Sequence, residues 1–114
     1  MIDKYYLNSM KEITPKELKQ KLVDGETIQI IDIREYHEVD SGNIGGKHIP
    51  MADVMGHCDK IRRDCPVVIH CRSGARATAM IFALETQKGF DNLYHLEGGI
   101  EAWAKQVDPQ IIVY

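Results

Sequence analysis

No stretch of the 114-residue chain approaches the ~20 consecutive apolar residues of a membrane span, so the sequence offers no bilayer-crossing helix. Neither sign of charge is in large excess: 14 Lys and Arg face 17 Asp and Glu, a net charge of -3, which argues against a nucleic-acid or anionic-membrane partner. Cysteine is scarce, with 3 residues and no Cys-x-x-Cys pair, which excludes a disulfide framework and fits a reducing compartment. Cys65 and Cys71 bracket one expected strand and stand about 20 Å apart at ~3.3 Å per residue, far beyond the ~7 Å that a disulfide tolerates. Cys58 follows His57, but no second ligand pair occurs at zinc-like spacing, and His37, His48, His57, His70 and His95 do not cluster, so no metal is expected. Internal repeats, low-complexity segments and linkers are absent. The first residues lack a charged-then-apolar signal pattern, so a cytoplasmic protein is expected.

What remains is an ordinary globular composition, 44% apolar and 27% charged, in a chain of single-domain length. Residues 1–9 carry no pattern and read as an N-terminal arm, leaving 10–114 as the domain. Met10 to Ile13 suits a short strand. Thr14, Pro15 and Glu17 spell a capping box with proline in the first helical position, stapled by Ile13 and Leu18, and Gly25 marks the stop. Thr27 to Ile33 is a β-branched run that reads as a buried strand. Glu35 to Asp40 suits a short helix, 41–50 is turn-rich, and Met51 to Ile61 reads as helical. Cys65-Pro66 opens a central strand through His70. Ala77, Met80, Ile81 and Leu84 then follow i, i+3, i+4, i+7 spacing, with Gly89 as cap. Asn92 to Leu96 is a strand, Ile100 and Trp103 pin a last helix, and the apolar tail 110–114 should pack on something. Alternating strands and helices imply an α/β fold with a mainly parallel open sheet and helices on both faces.

The chemistry concentrates where the strand Val67-Val68-Ile69-His70 ends in Cys71-Arg72-Ser73-Gly74-Ala75-Arg76. A short loop between a strand and a helix aims backbone N–H groups at one point, and the helix dipole adds positive potential there. That setting favours the thiolate, so Cys71 is the candidate nucleophile. Alternation along the strand turns His70 away from it and gives His70 a structural reading. With Arg72 and Arg76 flanking the cysteine, the loop is expected to be a local positive spot on a mildly acidic protein.

The six-residue loop, Cys71 to Arg76, resembles the active-site loop of the rhodanese family, the sulfurtransferases. Phosphatases with a related cradle use a loop one residue longer, and Ala77 stands where their arginine would be. Ile31-Asp32-Ile33-Arg34-Glu35 resembles the family's Asp-x-Arg segment, and Gly98-Gly99 to Trp103 its closing Gly-Gly-x-x-x-Trp signature. Residues 41–50 resemble its Gly-His-Ile-Pro-Gly-Ala…Ile-Pro segment with departures: Asn43 replaces the histidine, Gly45 the proline, and the segment is a residue shorter. The C-terminal run from Trp103 resembles rhodanese domains fused to ubiquitin-activating-like enzymes, which pass sulfur to small carrier proteins.

The resemblance implies a rhodanese-like fold and a thiosulfate sulfurtransferase that carries sulfur as a persulfide on Cys71. Arg72, Ser73, Gly74, Ala75 and Arg76 would bind the substrate, with Asp32 and Arg34 as structural support and no cofactor. Arg72 reads as an anion binder. Arg76 either tethers the loop through a carboxylate such as Asp32 or Glu35 or acts electrostatically, and Ser73 either donates to the persulfide or caps the helix. The implied partners are a small anionic sulfur donor and an acceptor: cyanide, a thiol, a thioredoxin-like protein or a sulfur-carrier protein. The alternatives are a phosphatase or arsenate reductase using the same cysteine, and a non-catalytic binding module.

Overall fold

β-branched residues stiffen two short runs into strands at the middle of one parallel sheet. The computed structural model describes residues 10–113; the expected arm, 1–9, and Tyr114 lie outside them. In chain order the elements are β1 (Glu12–Ile13), α1 (Pro15–Val23), β2 (Gln29–Asp32), α2 (Tyr36–Ser41), β3 (Lys47–His48), α3 (Met51–Val54), a 3-10 turn (Cys58–Lys60), β4 (Val67–His70), α4 (Ala75–Lys88), β5 (Leu93–Leu96) and α5 (Gly99–Gln106). The five strands lie in the order β1-β5-β4-β2-β3, and every neighbouring pair is parallel. Asp32 stands in register with His70 on one side and His48 on the other, so these three residues form a row at the carboxyl end of the sheet.

Strand alternation sorts the core into two layers. Ile31, Ile33, Val67, Ile69, Cys71 and Leu93 pack with Val54 of α3 and with Ala77, Met80, Ile81 and Leu84 of α4. On the other face Ile30, Val68 and Leu96 meet Leu18 of α1 and Trp103 of α5. Helices thus cover both faces of an α/β sheet, as expected.

Local signals formed where the sequence placed them. Thr14 and Glu17 close the capping box at 3.0 and 3.1 Å, Ile13 and Leu18 share one apolar cluster, and α4 ends on Gly89. The tail packs as well: Ile111 joins the α1/α5 layer.

Two expectations need correcting. Met51 to Ile61 is not one helix. It stops after one turn at Val54 and resumes only as the 3-10 turn. Gly56 is a poor helix former, the Nδ1 of His57 engages the Asp53 carbonyl at 2.8 Å, and the Cys58 thiol turns back to the Val54 and Met55 carbonyls. The turn-rich segment also contains a strand, β3, whose two residues pair with Ile31 and Asp32 at the sheet edge.

Candidate active site

β4 delivers Cys71 to the carboxyl end of the sheet, and α4 starts four residues later with Gly74 as its N-cap. The Gly74 N–H donates to Cys71 Sγ at 3.2 Å, so the sulfur lies at the positive end of a 14-residue helix. Gly74 has φ +122°, which a side chain disfavours, and this turn lets the chain enter α4 directly after the N–H that meets the sulfur. Cys71 is buried, while Arg72, Ser73 and Ala75 around it are exposed.

The loop's carbonyls are held elsewhere. Helix α5 begins with N–H groups that have no partner inside the helix. Its Ile100 N–H donates to the Cys71 carbonyl at 2.9 Å and its Glu101 N–H to the Arg72 carbonyl at 3.0 Å. Gly99 permits that approach, because a Cβ there would collide with the Arg72 carbonyl oxygen and stand 2.7 Å from that of Cys71. With the first two carbonyls turned toward α5, the Gly74 N–H is left facing the sulfur.

Both loop arginines carry a carboxylate. Arg76 forms a two-point pair with Glu38 of α2, at 2.8 and 2.9 Å, rather than with Asp32 or Glu35. The first turn of α2 carries Glu38 over the loop, where its Oε1 also accepts from the Glu35 N–H at 3.0 Å. Hydrogen bonds from Arg76 outweigh burial and hold the Glu38 carboxyl down to about 2. Arg72 Nε donates to Glu101 Oε1 at 2.6 Å. The expected positive spot is therefore corrected: two guanidinium groups face two carboxylates.

Asp32 and Arg34 sit beneath the loop region rather than in it. Arg34 is fully buried and donates to Asp32 through Nε and Nη2, at 2.8 Å for the shortest contact. It also donates to the Glu38 and Gly42 carbonyls, fastening both ends of α2 to the end of β2. Burial alone would raise the Asp32 carboxyl, but the Arg34 hydrogen bonds and the charge of His70 bring it below its ordinary value. His70, on the face opposite Cys71, is fully buried, and neither ring nitrogen has a hydrogen-bond partner. Its Nε2 lies 3.8 Å from Asp32 Oδ2, and burial pushes the imidazole below its ordinary value.

Ser73 does not cap α4, since Gly74 holds the N-cap without any side-chain bond. Cys58 packs against the Cys71 layer, and all three cysteines are free. Among the described residues no three His, Cys, Asp or Glu gather as metal ligands, and no helix is long and apolar enough to cross a membrane. The sequence reading missed Glu38 and Glu101 as partners. The only local signal was their place in the first turn of a helix, where acids are common.

Fold and site together define an open parallel α/β domain whose cysteine loop hangs from the carboxyl end of a central strand, the usual place for sites in such sheets. The chain belongs to the rhodanese family: the Rhodanese-like domain matches residues 14–106. It is 37% identical over 97 residues to a protein of Allochromatium vinosum named sulfurtransferase, covering 84% of this chain and 90% of that one. It is 33% identical over 105 residues to the probable adenylyltransferase/sulfurtransferase MoeZ of Mycobacterium tuberculosis, covering 90% of this chain but only 26% of that longer protein. Among solved structures, the rhodanese-like domain protein from Staphylococcus aureus superposes with TM-score 0.78 at 31% identity, covering 92% of this chain and 99% of that one.

Proposed function

We propose that this protein is a sulfurtransferase that carries sulfane sulfur as a persulfide on Cys71. The observation that carries the reading is the Gly74 N–H aimed at Cys71 Sγ, in a loop whose first carbonyls are drawn off by α5. A donor such as thiosulfate is attacked at its outer sulfur by the Cys71 thiolate. The S–S bond breaks and sulfite leaves with the bonding pair. The terminal sulfur of the resulting persulfide carries the negative charge, and the loop N–H groups and the α4 terminus stabilise it. An acceptor thiolate or cyanide then attacks that sulfur and Cys71 leaves as thiolate. The cycle needs no metal or organic cofactor.

A protein acceptor fits best, either a thioredoxin-like protein or a small sulfur carrier. The name of the mycobacterial relative, which joins adenylyl and sulfur transfer, supports it. The reading also places the protein in a reducing, cytoplasmic setting, with 10–114 as one functional domain.

Mass spectrometry after incubation with thiosulfate tests the proposal. Cys71 should gain about 32 Da, reversibly with cyanide or dithiothreitol, and the Cys71→Ser protein should gain nothing. Hydrolysis of p-nitrophenyl phosphate should be absent. Sulfur carried on Cys58 or Cys65, or phosphate hydrolysis without sulfur transfer, would overturn the reading.

A further inference from the structure

We infer that Glu101 sets the charge specificity of the cysteine loop: by cancelling Arg72 it disfavours dianionic sulfur donors relative to donors that bring at most one negative charge. The inference rests on the sulfurtransferase reading and refines its substrate class.

Glu101 is attached to Arg72 at both ends. Its backbone N–H donates to the Arg72 carbonyl at 3.0 Å, and its carboxylate accepts from Arg72 Nε at 2.6 Å. The carboxylate is therefore held beside the residue that follows the nucleophile. Among the described residues it is the only partner of the Arg72 guanidinium. The other cation of the loop, Arg76, is already occupied by Glu38 through two hydrogen bonds. Each guanidinium of the loop thus already faces a carboxylate before any anion arrives. Arg72 and Glu101 are both partly exposed, at 47% and 38% of their side chains, so their field acts at the mouth of the site and is open to screening by salt.

The two donor classes differ in the charge they bring together. With thiosulfate, the Cys71 thiolate and the dianion assemble three negative charges before the S–S bond breaks and sulfite departs with its electron pair. With an organic persulfide R–S–SH, the thiolate attacks the outer sulfur, R–S⁻ leaves with the bonding pair, and the proton stays on the transferred sulfur. One negative charge is then present throughout, or two when the persulfide enters ionised, against three with thiosulfate. A carboxylate fixed beside the loop penalises the first assembly far more than the second.

Glu101→Gln separates charge from shape, because glutamine keeps the acceptor oxygen for Arg72 Nε and the backbone contact. The measurement is the second-order rate constant of Cys71 persulfide formation, read by quenched-flow mass spectrometry. The donors are thiosulfate and the persulfide of 2-mercaptoethanol. At low ionic strength the variant should accept sulfur from thiosulfate about fivefold faster than the native chain, the order expected when one charge near a dianion is removed in a water-like dielectric. With the 2-mercaptoethanol persulfide the change should stay below about twofold, and near 1 M salt the thiosulfate gain should vanish. Calorimetry supplies a readout free of turnover: Cys71→Ser/Glu101→Gln should bind thiosulfate more tightly than Cys71→Ser alone. Equal changes with both donors, or no thiosulfate gain at low salt, overturn the inference while leaving the sulfurtransferase reading intact. Failure of the native chain to load sulfur from either donor overturns both.

Discussion

Glu38 and Arg76, 38 residues apart in sequence, close a two-point hydrogen-bonded pair that clamps α2 onto the first turn of α4. Glu38 ionises at about 2 in the folded chain, against an ordinary 4.5. Below pH 4.5 the unfolded chain therefore binds a proton that the folded chain refuses. The stability contributed by the pair is complete above that value and is lost as pH falls from 4.5 toward 2, on the order of 2 kcal/mol in all. Asp32 is shifted in the same direction. Urea unfolding at a series of pH values should show this slope, and Glu38→Gln should flatten it. Arg76→Ala should lower neutral-pH stability by about 1–2 kcal/mol, since it strands a largely buried carboxylate. A slope unchanged by Glu38→Gln would assign the acid sensitivity to other carboxylates.

His70 gives a second acid window. Its imidazole is fully buried and shifted below the ordinary 6.5, so the unfolded chain protonates first. Stability should begin to fall as pH drops below about 6.5, well before the carboxylate window opens. His70→Leu removes two buried ring nitrogens without partners and should be as stable as the native chain or more so at neutral pH. It should also lack the loss that sets in below about pH 6.5. Thermal melts across that range decide it, and a native-like pH slope in His70→Leu would refute the assignment.

Gly99 couples α5 to the cysteine loop. In Gly99→Ala the new Cβ strikes the Arg72 carbonyl and must push the helix from the loop, freeing the carbonyls of Cys71 and Arg72. Sulfur transfer should drop by about a hundredfold, the lower end of the loss when one oxyanion-type donor is removed. Gly25→Ala is the control. Gly25 also has positive φ, +77°, but a Cβ there meets nothing within 4 Å. That variant should lose about 1 kcal/mol of stability and keep its activity. Equal activities for the two variants would separate α5 from the chemistry.

Much of this protein is written locally. Thr14, Pro15 and Glu17 determine the start of α1 because a capping box needs only residues within one turn. The apolar spacing from Ala77 to Leu84 determines the buried face of α4, and the β-branched runs determine β2 and β4. The position of Cys71 at the end of β4 follows from the same run. Sequence does not show the rest because its causes are not local. β3 has two residues and no alternation of its own, and it is a strand only because Ile31 and Asp32 offer it partners. The Met51 to Ile61 segment carries helical spacing, yet side chains and backbone between Asp53 and Cys58 bond to one another and break it. The charge state of the loop is decided by Glu38 and Glu101, 38 and 29 residues from their arginines. The strand order β1-β5-β4-β2-β3 places β2 beside β4, while α5 docks its first turn on the loop that follows β4. Those placements bring the carboxylates to the arginines. Residue types and spacing determined where Cys71 and its loop stand; packing alone decided which charges that loop presents, because Coulomb energy depends on distance in space and not along the chain.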